Sequence, residues 1–440
     1  MRPWHDRSWR TRAALWLTGL CAGLLVALLV GGWAMLRLLR PVDGEWAQTL
    51  HLGPWQRAIS MPTVIRLATH PVTLRVLEGR TLRTPFGRVA VAPDGPDGWR
   101  MTCAPCALRG IGLPGDAVRL TRLVFTLARD ADMNLQGDFA LGEPAHAVRG
   151  RWRAALTPQQ LELNVQGDVT PIADAFALFA STIPELPRAQ VDGLMRFDLR
   201  LRLPERTLEF RPRLDGFRVA GLGTEALLNA APNCNADGAV PAGGFGTWLP
   251  RAVIAAEDQR FHEHTGYDLD EIGHALSFEP QRGASTLSQQ LARLVYTGGA
   301  RGHARKLREL LYAVELDRTL GKARVMHLYL SLVPWGQGRC GAHAAAAQLL
   351  HKRVDKLTPA EAAWLASLLH NPDLELARFD ARGEVNAARV RWVLSQMRPL
   401  PRTPKPPARG GAANDVAKRA APEDATPAPI QQALALALAR

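Results

Sequence analysis

The sequence has few cysteines, five among 440 residues, and the patterns it lacks narrow the chemistry before any that it contains. Cys103-Ala-Pro-Cys106 has no second C-x-x-C to complete a zinc site, and no βαβ pattern around it supports a thioredoxin-like redox pair. A small structural loop is the better reading. His262, Glu263 and His264 lack the i, i+4 spacing that sets two imidazoles on one helical face, which argues against a metal hydrolase. The chain carries a formal charge of +13, yet it has no basic stripe interleaved with aromatics and no known nucleic-acid module. Nucleic acid is set aside as a partner, and the surplus of cations points to acidic lipid headgroups or phosphorylated substrates. With 47% apolar and 22% charged residues, wholesale disorder is excluded too.

One long run contains no charge. Residues 13–36, from Ala13 to Leu36, would form a helix of about 36 Å, enough to cross a bilayer. Arg2, Arg7, Arg10 and Arg12 precede it, whereas Arg37 and Arg40 are soon countered by Asp43 and Glu45, so residues 1–12 are expected in the cytoplasm. The run exceeds a signal-peptide core and no clean A-x-A site follows, which favours an uncleaved anchor. The remainder would then lie in an oxidising compartment. Cys21 falls in the span, leaving Cys103, Cys106, Cys234 and Cys340 as an even set of disulfide candidates. Of three pairings, Cys103 with Cys106 and Cys234 with Cys340 is the one expected.

Residues 45–230 read as a β-rich domain. Leu161, Leu163 and Val165 alternate with Glu162 and Asn164, and Phe197, Leu199, Leu201 and Leu203 alternate with Asp198, Arg200 and Arg202. Leu135-Gln136-Gly137-Asp138, Val165-Gln166-Gly167-Asp168, Val191-Asp192-Gly193 and Leu214-Asp215-Gly216 read as recurring hairpin turns at strand ends. Pro232, Gly238, Pro241, Gly243 and Gly244 mark a linker over residues 231–244. Helical spacing then runs through 245–398, and 399–440 is a Pro/Ala-rich tail expected to be disordered, apart from a short helix in its last residues.

The helical region opens on Ala255-Ala256-Glu257-Asp258-Gln259-Arg260-Phe261-His262-Glu263-His264-Thr265-Gly266. A charge-rich helix end, a metal site and a hydrolase acid pair are all readings of this string. Further strings follow it: Gly283-Ala284-Ser285-Thr286-Leu287-Ser288-Gln289-Gln290-Leu291, then Arg305-Lys306-Leu307-Arg308-Glu309, then Leu328-Tyr329-Leu330, Trp335-Gly336 and Gly341 to Ala347, and finally Leu357-Thr358-Pro359-Ala360-Glu361-Ala362-Ala363. In that order they resemble the signatures of glycosyltransferase family 51, the peptidoglycan glycosyltransferases found alone or fused to penicillin-binding domains. The resemblance covers roughly residues 245 to 372.

The resemblance implies a C-terminal, mostly α, lysozyme-like glycosyltransferase domain, behind an N-terminal transmembrane helix and a β-rich periplasmic domain. Its reaction would be polymerisation of lipid II into glycan strands by β-1,4 bond formation, with release of polyprenyl pyrophosphate. Glu257 matches the general base and Glu309 the second carboxylate, which organises the leaving group or a divalent cation such as Mg2+; no cofactor is obligatory. Asp258 beside Glu257, together with desolvation, gives Glu257 two reasons for a raised pKa. Asp258, Ser285, Thr286, Gln289, Gln290, Arg293, Arg305 and Lys306 are the expected substrate-binding groups, chosen because a diphosphate needs cations and hydrogen-bond donors. Phe261, His264 and Gly266 are expected as structural supports.

The family pattern is not followed throughout. His274 stands where the family has Arg, Arg293 where it has Lys, Leu294 and Ser331 where it has Asn, and His327 where it has Glu. Leu349-Leu350-His351 replaces Tyr-Phe-Gly before Lys352, and the interval from Gly266 to Gly283 is short. The sequence contains no S-x-x-K or K-T-G element, so peptide cross-linking is expected from a separate transpeptidase or envelope partner at the inner membrane. A weakened scaffold that binds lipid II is the rival expectation.

Overall fold

The computed structural model describes residues 7–52, 55–108, 118–130, 134–231, 234, 244–270, 285–298, 302–397 and 429–438. Most of the expected linker and tail, together with His274, Gly283 and Ala284, lie outside these. Helix α1 (Arg7–Leu38) contains the expected span, with none of Trp16–Leu38 buried against protein. Trp16, Leu17, Leu20, Leu24, Leu29 and Trp33 all face outward. An apolar surface of this length is long enough to cross a membrane.

The chain divides into two compact units. The first comprises residues 1–107, 119–168 and 197–210; the second comprises 108–118, 169–196 and 211–440. In the first, β1 (Ala47–Leu52) and β2 (Trp55–Ser60) form a hairpin, followed by α2 (Met61–Ala68) and α3 (Pro71–Leu77). Ser60 caps α2, its hydroxyl accepting from Thr63 N. The Ser60 amide donates to Leu39 O at 2.8 Å, and the Met61 amide to Trp46 O at 3.0 Å.

A ten-stranded sheet contains β3 (Thr81–Thr84), β4 (Gly87–Pro93), β5 (Gly98–Leu108), β6 (Val118–Leu120), β7 (Leu123–Arg129), β8 (Leu135–Leu141), β9 (Val148–Leu156), β10 (Leu161–Pro171), β11 (Gln190–Leu203) and β12 (Thr207–Ala220). Its order is β12-β11-β10-β9-β8-β7-β5-β4-β3, with β6 on β5. The expected alternation is realised: Leu161, Leu163 and Val165 pair with Leu156, Ala154 and Trp152 of β9. Leu74, Val91, Trp99 and Leu127 form a small core in this unit.

The recurring Gln-Gly-Asp and Asp-Gly strings are not hairpin turns. All four lie inside β8, β10, β11 and β12, and the β9–β10 turn is instead built by residues 157–160, with Gln160 N donating to the Thr157 hydroxyl. The glycine has a different purpose there. At Gly167 a Cβ would collide with the ring of Phe197, which lies across the strand. A glycine that makes room for a neighbouring ring is indistinguishable in sequence from one that makes a turn.

The second unit holds most of the buried apolar residues. Its helices are α4 (Ile172–Ala177), α5 (Trp248–Glu257), α6 (Leu287–Ala292), α7 (Gly302–Leu332, interrupted at Gly321), α8 (Ala342–Leu350), α9 (Pro359–Leu368), α10 (Pro372–Arg382), α11 (Ala387–Gln396) and α12 (Pro429–Leu438). Leu249, Leu287, Leu311, Leu328, Trp335 and Leu365 have no exposed surface. The unit reaches further than the expected 245–398 domain. Ile172, Phe176, Ile183, Phe217 and Leu222 belong to the same core, and so does Leu434 of α12. The closing L-T-x-x-E-A-A string is a helix start: Thr358 and Glu361 form a reciprocal capping box, and Glu361 also takes Lys352 Nζ at 2.8 Å and Gln431 Nε2 at 2.9 Å.

Disulfides join Cys103 to Cys106 and Cys234 to Cys340, the expected pairing. The first lies within β5 rather than in a loop. Cys21 is free, on α1.

Candidate active site

Glu257 is the last residue of α5, and Asp258 is its C-cap. The Glu257 side chain is 14% exposed. Gln290 Nε2 of α6 donates to its Oε2 at 3.1 Å. The amide is aimed by Tyr329 of α7, whose buried hydroxyl donates to Gln290 Oε1 at 2.9 Å. Burial raises the Glu257 pKa; the Gln290 hydrogen bond and the charges of Arg389 and His370 oppose the rise, and Asp258 adds to it. A carboxylate held with little water and one neutral donor is a competent general base, because loss of a solvation shell favours its taking up a proton.

Asp258 faces away from this chemistry. Both its oxygens lie 3.0 Å from His264 Nε2, and Oδ2 accepts the amide of Leu287 at 2.8 Å. The Gly266 amide donates to His264 Nδ1 at 3.2 Å, which assigns the imidazole proton to Nε2 and directs it at Asp258. Gly266 has φ +90°, and a Cβ there would collide with the Ala313 carbonyl of α7. The Gly266 carbonyl in turn accepts from the Thr286 hydroxyl at 2.7 Å. Thr286 and Gln289 are a capping box, each satisfying the other's amide. Through these bonds Asp258, Thr286 and Gln289 fix the start of α6. Phe261 is 1% exposed, with Lys322 Nζ over its ring at 4.7 Å.

The second carboxylate stands in a different field. Glu309 of α7 is 1% exposed and pairs with Arg305 one turn back and with Lys306 Nζ at 3.0 Å. Lys306 Nζ also reaches Ser285 Oγ at 2.5 Å. Arg293 directly follows α6, at the head of a π-helical turn over Arg293–Thr297, and is exposed. Helical spacing explains the cluster: positions i, i+1 and i+4 of α7 place both cations on Glu309's own side.

The two acids are thus tied to opposite ends of one short segment. Glu257 bonds Gln290 within α6, and Glu309 reaches Ser285, just before α6, through Lys306. Sequence reasoning missed Tyr329, His370 and Arg389 as groups that surround Glu257. Arg389 Nη2 of α11 lies 3.8 Å from Glu257 Oε1, and no spacing signal links residues so distant in the chain. Among the departures, His327 flanks Phe245 at a ring distance of 5.4 Å, with His343 on Phe245 at 5.0 Å, and burial lowers the pKa of both imidazoles. His351 takes the left-handed position ending α8 (φ 50°), a place that suits the glycine it replaces.

Glu257 is thus a desolvated carboxylate and Glu309 a cation-held one, both tied to the segment 285–290 on a helical frame. A family model described as transglycosylase matches residues 227–398, and the chain belongs to that family. It is similar to proteins named biosynthetic peptidoglycan transglycosylase from three sources. Identity is 40% over 158 residues with the Klebsiella oxytoca protein, covering 35% of this chain and 64% of that one. It is 36% over 178 residues with that of Alcanivorax borkumensis, covering 37% and 71%. With the Azoarcus sp. protein it is 39% over 159 residues, covering 33% and 69%. The chain therefore spans slightly less than two thirds of the Klebsiella relative.

Proposed function

We propose that this chain is a membrane-anchored peptidoglycan glycosyltransferase that polymerises lipid II. The 4-hydroxyl of a lipid II acceptor attacks C1 of the lipid-linked end of the growing strand. The C1–O4 bond forms with β configuration, the bond from C1 to the pyrophosphate oxygen breaks, the hydroxyl proton passes to Glu257, and polyprenyl pyrophosphate departs with the electron pair. Arg305, Lys306 and the exposed Arg293 meet the negative charge that builds on the pyrophosphate, and Ser285 offers a hydroxyl beside them. Glu309 holds Arg305 and Lys306 in place between turnovers.

A divalent cation such as Mg2+ would have to share Glu309 with two side chains already bound to it, and among the described residues no three carboxylate, imidazole or thiol groups converge on a metal position. These donors do not suit a resident metal, so no step is assigned to one. Helix α1 would hold the enzyme at the inner membrane with both units on the periplasmic side, where lipid II, the nascent strand and a separate transpeptidase meet.

The observation that carries this reading is the contrast between the two buried acids, one desolvated and poised to accept a proton, the other locked to cations, both bonded to the segment 285–290. Lipid II polymerisation by the purified full chain tests it. Glycan product from wild type and a loss of at least about 100-fold in Glu257→Gln is the expected outcome. No product from either protein would leave a lipid II-binding scaffold instead.

A further inference from the structure

The stretch before the matched region, residues 169–196, belongs to the second unit and grips α7 beside the catalytic cations. Glu185 is 3% exposed. It accepts Arg308 Nε at 2.9 Å on both oxygens and Arg308 Nη2 at 2.6 Å. One turn along α7, the Tyr312 hydroxyl lies 3.5 Å from Glu185 Oε1 and accepts from Arg188 Nη2 at 3.0 Å. The Tyr312 ring stacks on Tyr296 at 4.0 Å and 3°, and Tyr296 lies in the π-helical turn that begins with Arg293. A further turn on, Glu315 accepts the amides of Leu222 and Thr224 and the Thr224 hydroxyl. Arg308, Tyr312 and Glu315 form one stripe of α7, spaced 4 and 3 residues apart, and each is held by chain that precedes residue 227.

Arg308 and Glu309 are adjacent, so rotation of α7 about its axis moves both together by the same angle. A buried forked pair fixes that angle better than apolar packing, because three directed hydrogen bonds lengthen at once when the helix turns. The same network reaches Arg293 through the stacked tyrosines. We propose that Glu185 is a positioning residue for glycosyl transfer: through Arg308 and Tyr312 it sets the orientation of α7, and with it the placement of Glu309, Arg305 and Lys306 toward the pyrophosphate. The β10–β11 connection thereby becomes a working part of the transferase. This inference rests on the proposed lipid II polymerase activity.

The test uses full-length wild type, Glu185→Gln and the reciprocal double variant Glu185→Arg/Arg308→Glu. In Glu185→Gln, kcat per folded molecule is expected to fall at least 10-fold with KM for lipid II within about twofold, and the double variant to recover at least a third of the wild-type kcat. Hydrogen exchange at amides 305–312, followed in the same proteins without substrate, is expected to quicken at least 10-fold in Glu185→Gln and to return in the double variant. A kcat within twofold of wild type in folded Glu185→Gln would overturn the proposal, as would a double variant that regains thermal stability without regaining kcat. If wild type makes no glycan, the polymerase reading fails by itself; exchange at 305–312 then decides the positioning role, and unchanged protection in Glu185→Gln overturns it.

Discussion

At the scale of single residues, the proposed site keeps two acids in opposite electrostatic surroundings. In the proposed mechanism Glu257 reacts as the carboxylate, and burial raises its pKa, so the acid limb of the kcat/KM profile is expected to be displaced upward from the ordinary carboxylate value. Arg389 and His370 hold that pKa down. Arg389→Gln is therefore expected to move the acid limb to higher pH, read from the pH profile of lipid II polymerisation; an unmoved limb would remove Arg389 from the site. A raised folded pKa means that the native state holds its proton more tightly than the unfolded chain, so stability declines as pH climbs through that raised value. Gly266→Ala tests the frame instead. It combines positive φ with a backbone collision and is expected to cost about 2–4 kcal/mol in denaturant unfolding. Glu257 and Glu309 could be put forward from sequence because their motifs are local; the setting of Glu257 could not, since Tyr329 and Arg389 approach it from other helices.

Among the elements, α6 is the pivot. Its six residues are too few to be stable alone, and its start is fixed by the capping box, by Asp258 on the Leu287 amide and by Gly266 on Thr286. Sequence does not separate a helix cap from a phosphate contact at these residues, because both ask for the same hydroxyls and amides. Strand alternation was readable for the opposite reason: a period of two reports directly on one wet and one covered face. Helix α12 shows what a compositional reading misses, since it returns from the Pro/Ala-rich stretch to place Leu434 in the core and Gln431 on Glu361. Leu434→Ala is expected to lower unfolding free energy by about 2–3 kcal/mol, measured by urea denaturation of the full chain; a change below about 0.5 kcal/mol would show that α12 is not docked.

Over the whole molecule, the covalent and noncovalent boundaries differ from those suggested by composition. The family match begins at residue 227, yet segments 169–196 and 211–226 share its core, because Ile172, Phe176, Ile183, Phe217 and Leu222 belong to it. Sequence patterning marked the strands and helices but not which strand connection folds with which core. The Cys234–Cys340 bridge closes a loop of 106 residues, so reduction is expected to cost about 4–5 kcal/mol on loop entropy and to lower the unfolding midpoint of the purified enzyme. An unchanged midpoint in reductant would show that this tie adds nothing to the native state. At the other end of the chain, α1 stops at Leu38, and the very next carbonyl is already bonded to Ser60 at the entrance to α2. Little chain separates α1 from the hairpin and α2 of the same unit. Set in a bilayer, such an arrangement acts as a bracket and not a leash: tilting the span must swing the sheet-bearing unit with it, and a thicker or thinner membrane would change that unit's attitude instead of being absorbed by loose chain.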